Sequence, residues 1–124
     1  MFTDPIVIKP TATAGDDITC PRISTGAMRA VYRNNAGSHT VTISHMTTKA
    51  GRERSTVRID LAANAADPYN AALIRSYTGA VSITWDNPAN GVGITDADMA
   101  KAITALTKFV QDATNQNKLL GKES

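Results

Sequence analysis

Two neighbouring stretches decide the fold: SHTVTISHM at residues 38–46 and RSTVRIDLA at residues 54–62. In both, apolar side chains occupy every second position, and the positions between them carry hydroxyl or charged groups. The apolar set is Val41, Ile43, Val57, Ile59 and Leu61, and the polar set is Thr40, Thr42, Ser44, Thr56, Arg58 and Asp60. This period of two is typical of strands with one buried and one solvated face. The short polar segment 47–53 predicts that the strands pair as a hairpin.

Further strands are predicted on both sides of this hairpin. Residues 26–33 form a strand that ends at Asn34-Asn35-Ala36-Gly37, a turn sequence because Asn and Gly tolerate positive φ. Residues 73–85 alternate again and predict a last long strand, in which Gly79 marks a candidate bulge. These strands extend the antiparallel sheet.

The remaining segments before the last strand predict a hairpin and a loop. Residues 5–9 and 17–20 are short and apolar, and they flank a turn at 11–16 that contains Gly15. They predict a separate amino-terminal hairpin. Residues 64–70, which include Asp67-Pro68, predict an exposed loop.

Beyond residues 86–93, which are rich in Asn, Pro and Gly, the period becomes helical. Met99, Ile103, Leu106 and Val110 recur at helical spacing, and Ala102 and Phe109 widen this apolar stripe. Thr95 and Asp98 approximate a capping box at the start of the helix. A shorter helix is predicted over 115–120, ending at Gly121.

The order of elements predicts an α+β fold in a single domain, residues 1–124. Aromatic residues make up only 5% of the chain and alanine supplies much of its apolar content, so the core of one chain is thin. One short helix covers only part of an apolar sheet face. The sequence therefore predicts that a second copy supplies the rest, as in dimers that lack a stable monomer.

Several function classes find no support in the sequence. A net charge of +2 is too small for a polybasic nucleic-acid arm, although it is compatible with a local basic patch. The lone Cys20 excludes an intrachain disulfide or a cysteine-cluster zinc site, and the spacing of His39 and His45 does not predict a metal site. We found no nucleophile elbow, phosphate-binding glycine loop, signal peptide or membrane-spanning run. We therefore predict no enzyme, cofactor or membrane contact.

The block 38–61, then Arg75-Ser76-Tyr77, then the helix after Thr95 resembles the coat proteins of single-stranded RNA bacteriophages, the leviviruses. The tail Leu119–Ser124 is similar to that of some members. The resemblance covers essentially the whole chain and implies an amino-terminal hairpin, a five-stranded antiparallel sheet and two carboxy-terminal helices. It also implies interlocked dimers with a ten-stranded sheet, which assemble into an icosahedral T=3 shell, the virion capsid, in the cytoplasm of a bacterial host.

The same resemblance implies partners and site residues. The partners are the single-stranded RNA genome, an RNA hairpin bound to repress translation of the replicase, and one maturation protein. The implied RNA-binding residues are Thr42, Ser44, Thr56, Arg58 and Tyr77, to which Arg54 and Arg29 add positive potential. The dimer interface is predicted at Met99, Ile103, Leu106 and Val110, and contacts between dimers at the loop residues Asn64, Asp67, Pro68 and Tyr69. This loop is shorter than in the best-known members.

Two other interpretations fit the residues alone. A row of hydroxyl and charged side chains is more often the solvated side of a sheet than a binding site. A dimeric nucleic-acid-binding module of non-viral origin would use the same face without forming shells. The size of the assembled particles distinguishes this module from a coat protein.

Overall fold

The computed structural model describes residues 2–89 and 92–123. Within them lie seven strands and two α-helices: β1 Ile6–Ile8, β2 Ile18–Cys20, β3 Arg22–Thr25, β4 Arg29–Arg33, β5 His39–Thr47, β6 Glu53–Asp67, β7 Asn70–Asn87, α1 Asp96–Gln111 and α2 Ala113–Leu120. β1 and β2 form an antiparallel hairpin, and β3 to β7 form a five-stranded sheet in chain order. The predicted α+β architecture is confirmed.

By its internal contacts the chain divides into two compact units. Met1–Met46 and Arg54–Thr84 make up the first unit, which contains the amino-terminal hairpin and most of the sheet. Thr47–Glu53 and Trp85–Ser124 make up the second unit, which contains the β5–β6 turn and both helices. The single domain inferred from chain length stays a prediction.

The core of the first unit lies on the apolar face of the sheet. Its buried residues are Cys20, Tyr32, Val41 and Ile43, with Ile6, Ile8, Ile18, Ala30, Val57 and Ile59 packed around them. β4 pairs with β5 so that Tyr32 lies opposite Val41, and residues paired in this way share a face. The amino-terminal hairpin therefore covers part of the apolar face that the alternation predicts.

Arg22 fastens the start of the chain to this core. Its Nη2 donates to the Phe2 carbonyl oxygen at 2.7 Å, and its Nε donates to the Tyr32 hydroxyl at 3.2 Å. The guanidinium also lies 5.3 Å from the centre of the Tyr32 ring, within cation–π range. Its backbone N–H donates to Asp4 Oδ1 at 2.9 Å. Arg22 thus joins Phe2 and Asp4, near the amino terminus, to Tyr32 in β4.

The predicted strand over residues 26–33 is wrong at its beginning. β3 occupies Arg22–Thr25, and Gly26 N–H donates to the Arg29 carbonyl oxygen at 2.7 Å, so the chain turns before β4 begins at Arg29. The sequence of β3 lacks an apolar alternation, and only Pro21 separates it from β2. A four-residue strand of this kind carries no periodic signal.

The predicted loop over 64–70 is also wrong. Asn64 lies within β6, Asp67 ends that strand, and Pro68 and Tyr69 alone form the turn to β7. Asp67 is buried, accepts the Tyr69 N–H at 2.9 Å and pairs with Arg75 Nε at 2.6 Å. Asp67-Pro68 therefore initiates a tight turn between two long strands. The Asp67–Arg75 ion pair lies beside this turn and joins residues eight positions apart.

The helices begin and end at capping residues. Thr95 accepts from Asp98 N–H at 3.3 Å and Asp98 accepts from Thr95 N–H at 3.3 Å, which confirms the capping box. α2 ends before Gly121 as predicted but begins at Ala113. Its start is earlier than residue 115 because the Asp112 carboxylate caps the first turn.

Candidate nucleic-acid interface

The polar face of the sheet is the opposite face to the core. Pairing of β4 with β5 places Arg29 opposite Ser44 and Val31 opposite Thr42. These residues alternate with Ala30, Tyr32, Val41 and Ile43, which point to the core side. The face therefore combines hydroxyl groups with an arginine at the start of β4.

Two contacts give the register between β5 and β6. Ala62 N–H donates to the Ser38 carbonyl oxygen at 2.9 Å, and His45 Nδ1 lies 2.8 Å from Ser55 Oγ. Both contacts fit one antiparallel register, in which Ser44 is opposite Thr56 and Thr42 is opposite Arg58. Thr56 and Arg58 thus extend the polar face onto the next strand.

A hydrogen bond continues this face onto β7. Thr56 Oγ1 lies 3.0 Å from Thr84 Oγ1. We name the resulting line across four strands the hydroxyl row; it consists of Arg29, Ser44, Thr56 and Thr84. Sequence reasoning missed Thr84, although its alternation with the apolar Ile83 and Trp85 was a usable signal.

The structure brings together most of the sequence-predicted RNA-binding residues. Arg29, Ser44 and Thr56 lie in the hydroxyl row, and Thr42 and Arg58 lie beside it. Arg54 precedes Thr56 by two residues in β6 and so lies on the same face. The position of Tyr77 needs a separate argument.

The face of Tyr77 depends on where β7 departs from a regular hairpin. The two-residue turn sets Asp67 opposite Asn70 at the end of the hairpin. From there to the Thr56–Thr84 contact β6 spans eleven positions and β7 spans fourteen, so β7 contains extra residues, as in β-bulges. The Asp67–Arg75 contact at 2.6 Å requires these extra residues to precede Arg75, so alternation back from Thr84 places Tyr77 on the opposite face to Thr84 and not on the polar face. Its role in base stacking stays a prediction.

Arg58 already has an anionic partner on this face. Its Nε and Nη2 lie 2.8 Å and 2.7 Å from Asp60 Oδ1, and both side chains are substantially exposed. Residues two positions apart in a strand share a face, so the pair lies entirely on the polar side. An exposed pair of this kind contributes little to stability and is available for exchange with a ligand.

The single cysteine of the chain is a buried core residue. Burial raises the pKa of the Cys20 thiol, so this side chain stays protonated at neutral pH and packs as a small apolar group. Among residues 2–89 and 92–123, no cluster of His, Cys, Asp and Glu is arranged to hold a metal ion. In the same part of the chain, no helix is long and apolar enough to cross a membrane.

Both helices leave most of their large apolar side chains exposed, while Met99 and Ile103 are partly buried. Over residues 96–120, all of which the structure describes, α1 and α2 bury no residue. Leu106 is 52% exposed, Phe109 56% and Leu120 82%. Apolar exposure of this extent is typical of a surface that another molecule covers.

The sheet likewise has an open side and an open edge. An apolar groove of about 270 Å³ on the core side is lined by Phe2, Met28, Tyr32, Ile43 and His45. β7 is the last strand of the sheet, and every residue from 70 to 82 is exposed. A long exposed edge strand has backbone N–H and C=O groups that can pair with another chain.

Comparison with solved structures identifies the fold. The structure resembles the virus-like particle of bacteriophage AVE019 with a TM-score of 0.79 at 7% identity, covering 96% of this chain and 94% of that one. It resembles the bacteriophage EMS014 coat protein with a TM-score of 0.65 at 21% identity, covering 86% and 72%. For the bacteriophage GA protein capsid the TM-score is 0.57 at 14% identity, covering 98% and 95%. No protein-family model and no curated protein matches the chain. The chain therefore has the fold of bacteriophage coat proteins, which confirms the resemblance at the level of the fold.

Proposed function

We propose that this chain is the coat protein of an RNA bacteriophage, a structural subunit that dimerises and assembles into a closed shell around single-stranded RNA. The observation that carries the proposal is the exposure of both helices in a chain with the coat-protein fold. Exposure of apolar side chains such as Leu106 and Phe109 to water is energetically unfavourable. Contact with a second copy would bury them and so lower the free energy.

Dimerisation follows from two complementary surfaces. The β7 edges of two copies pair into a ten-stranded sheet, and the helices of each copy cover the open apolar face of the other. Met99, Ile103, Leu106 and Val110 supply the helix side of this interface. One chain alone has a small hydrophobic core, and the dimer interface adds to it. Dimer formation and folding are therefore coupled.

RNA binds on the polar face. Threonine hydroxyl and methyl groups of Thr42 and Thr56 can line pockets for unstacked bases, and Arg29 and Arg54 can contact phosphates. An RNA hairpin exposes unstacked loop bases in this way, so the face suits translational repression of the replicase as well as genome packaging. The β6–β7 turn, with the fully exposed Tyr69 at its tip, makes contacts between dimers in a T=3 shell.

The remaining partners and the place of assembly follow from the same proposal. Shells assemble in the cytoplasm of a bacterial host, and one maturation protein completes the virion. Electron microscopy of the purified recombinant protein tests the structural role. We expect hollow particles of uniform diameter, whereas a population of small dimers alone would favour the non-viral nucleic-acid-binding module.

The hydroxyl row gives a prediction on RNA binding. Replacing Thr56 by Ala removes the hydroxyl that lies beside Thr84, and we expect affinity for a cognate RNA hairpin to fall about three- to tenfold, the worth of one hydrogen bond. Filter binding with a hairpin selected by the wild-type protein from a pool of randomised loops measures this. Particles should form normally, because the side chain lies away from the core.

Thr19→Ala is the matched control, since Thr19 is an exposed strand residue of the amino-terminal hairpin. Its RNA affinity should equal that of the wild type. Equal affinities for all three proteins would remove the hydroxyl row from the binding site.

A further inference from the structure

The arginines of the polar face are held in two different ways. Arg58 places Nε and Nη2 on the same oxygen, Asp60 Oδ1, at 2.8 Å and 2.7 Å. Arg29 lies on the same face and forms no ion pair with another residue in the described part of the chain. Before RNA binds, the Arg58 guanidinium is therefore paired with a carboxylate, whereas the Arg29 guanidinium is not.

A phosphate group competes directly with Asp60. Phosphate oxygens only accept hydrogen bonds, and the Nε–Nη2 side of a guanidinium is one of the edges that grips an oxyanion. At Arg58 this side is already occupied by a carboxylate. A phosphate that approaches must displace Asp60 and is also repelled by its charge. At Arg29 neither penalty applies.

The Arg58–Asp60 pair suits a different part of a nucleotide. Taken together the pair is neutral, with guanidinium N–H donors beside carboxylate acceptor capacity. An unpaired base edge carries donors and acceptors side by side, and both Arg and Asp read such edges. The neighbouring Thr42, opposite Arg58, would flank a base held there.

We infer that Asp60 is a specificity-determining residue: it holds Arg58 for a base edge of a structured RNA and keeps it from gripping phosphates indiscriminately. This inference rests on the proposed RNA-binding function. Phosphate contacts on this part of the face are then left to Arg29. Non-specific affinity for RNA phosphates is therefore low around Arg58. A folded RNA loop with a correctly placed base gains a contact with the Arg58–Asp60 pair.

The test replaces Asp60 by Asn, which removes the charge and keeps the size. Two probes are used, a 20-nucleotide oligouridine and the hairpin selected by the wild-type protein, each over a range of salt concentrations. Asp60→Asn should bind oligouridine about three- to tenfold more tightly than the wild type. Its salt dependence should steepen by about 0.7 to 1 in the slope of log K against log salt, the signature of one new phosphate contact.

Asp96→Asn makes the same change in charge on the first turn of α1 and serves as the matched control. It should change oligouridine affinity by less than about twofold, because Asp96 belongs to a helix and not to the polar face of the sheet. The selectivity of Asp60→Asn for the hairpin over oligouridine should fall, while that of Asp96→Asn should not. Circular dichroism of Asp60→Asn and Asp96→Asn should match that of the wild type, so that a gain of affinity is not attributed to misfolding.

Two outcomes would overturn the inference, and they are distinguishable. If the wild type binds the hairpin but Asp60→Asn behaves like Asp96→Asn on oligouridine, Asp60 does not restrain Arg58, and the proposed function stands. If the wild type binds neither RNA, both the inference and the proposed RNA-binding function fail.

Discussion

Leu106→Asp is expected to abolish dimers and shells together. Leu106 is half exposed in the single chain, so the substitution leaves the core of the first unit untouched. In the proposed dimer the same side chain is buried, and an unpaired carboxylate there costs several kcal/mol. A cost of that size shifts the dimer equilibrium by orders of magnitude. Size-exclusion chromatography with light scattering and electron microscopy measure the two losses.

Thr104→Asp is the control for this variant. It introduces the same charge into the same helix, on the side away from the apolar stripe, where Thr104 is exposed. We expect it to form particles. Particles from Leu106→Asp, or loss of particles from both variants, would mean that the stripe is not the dimer interface.

Tyr32→Ala is expected to have the largest effect on folding. The ring is fully buried among Cys20, Val41 and Ile43, so its removal leaves a cavity and should lower the free energy of unfolding by about 3–5 kcal/mol. Urea unfolding followed by the fluorescence of Trp85, the single tryptophan, measures the change.

Tyr32→Phe separates packing from the polar contact. It keeps the ring and loses only the hydroxyl that accepts from Arg22, so we expect a loss of about 1 kcal/mol. Equal losses for both substitutions would show that the hydrogen bond to Arg22, and not the buried ring, accounts for the stability that Tyr32 contributes.

The features that could be predicted from the sequence are those encoded by local pattern. Alternation over 38–46 and 54–62 predicts two strands and assigns each side chain to a face, because neighbouring residues in a strand point in opposite directions. The capping box at Thr95 and the turn at Gly37, whose φ is +72°, are also local signals. The polar face was therefore predictable before any strand was paired.

The features that sequence reasoning missed show no clear period or depend on contacts between side chains. β3 is too short to show a period, and Asp67 beside the tight β6–β7 turn pairs with Arg75. Thr84 joins the site only because of its cross-strand partner Thr56, 28 residues away. The face of Tyr77 depends on where β7 bulges, which alternation alone does not fix.

The division of roles on the polar face follows from its charges. The Arg58–Asp60 pair is neutral, whereas Arg29 forms no ion pair with another residue in the described part of the chain. In the proposed complex a bound hairpin would place a phosphate near Arg29 and its unstacked loop bases near Thr42 and Arg58.

Sedimentation of the purified chain at low concentration tests most directly whether a second copy completes the fold. In the proposed dimer a second copy covers the exposed helices and the β7 edge, so we predict dimers and their multiples, with no folded species at the 13.1 kDa mass of one chain. A stable, cooperatively folded monomer of that mass would contradict the dimer, and with it the proposed shell.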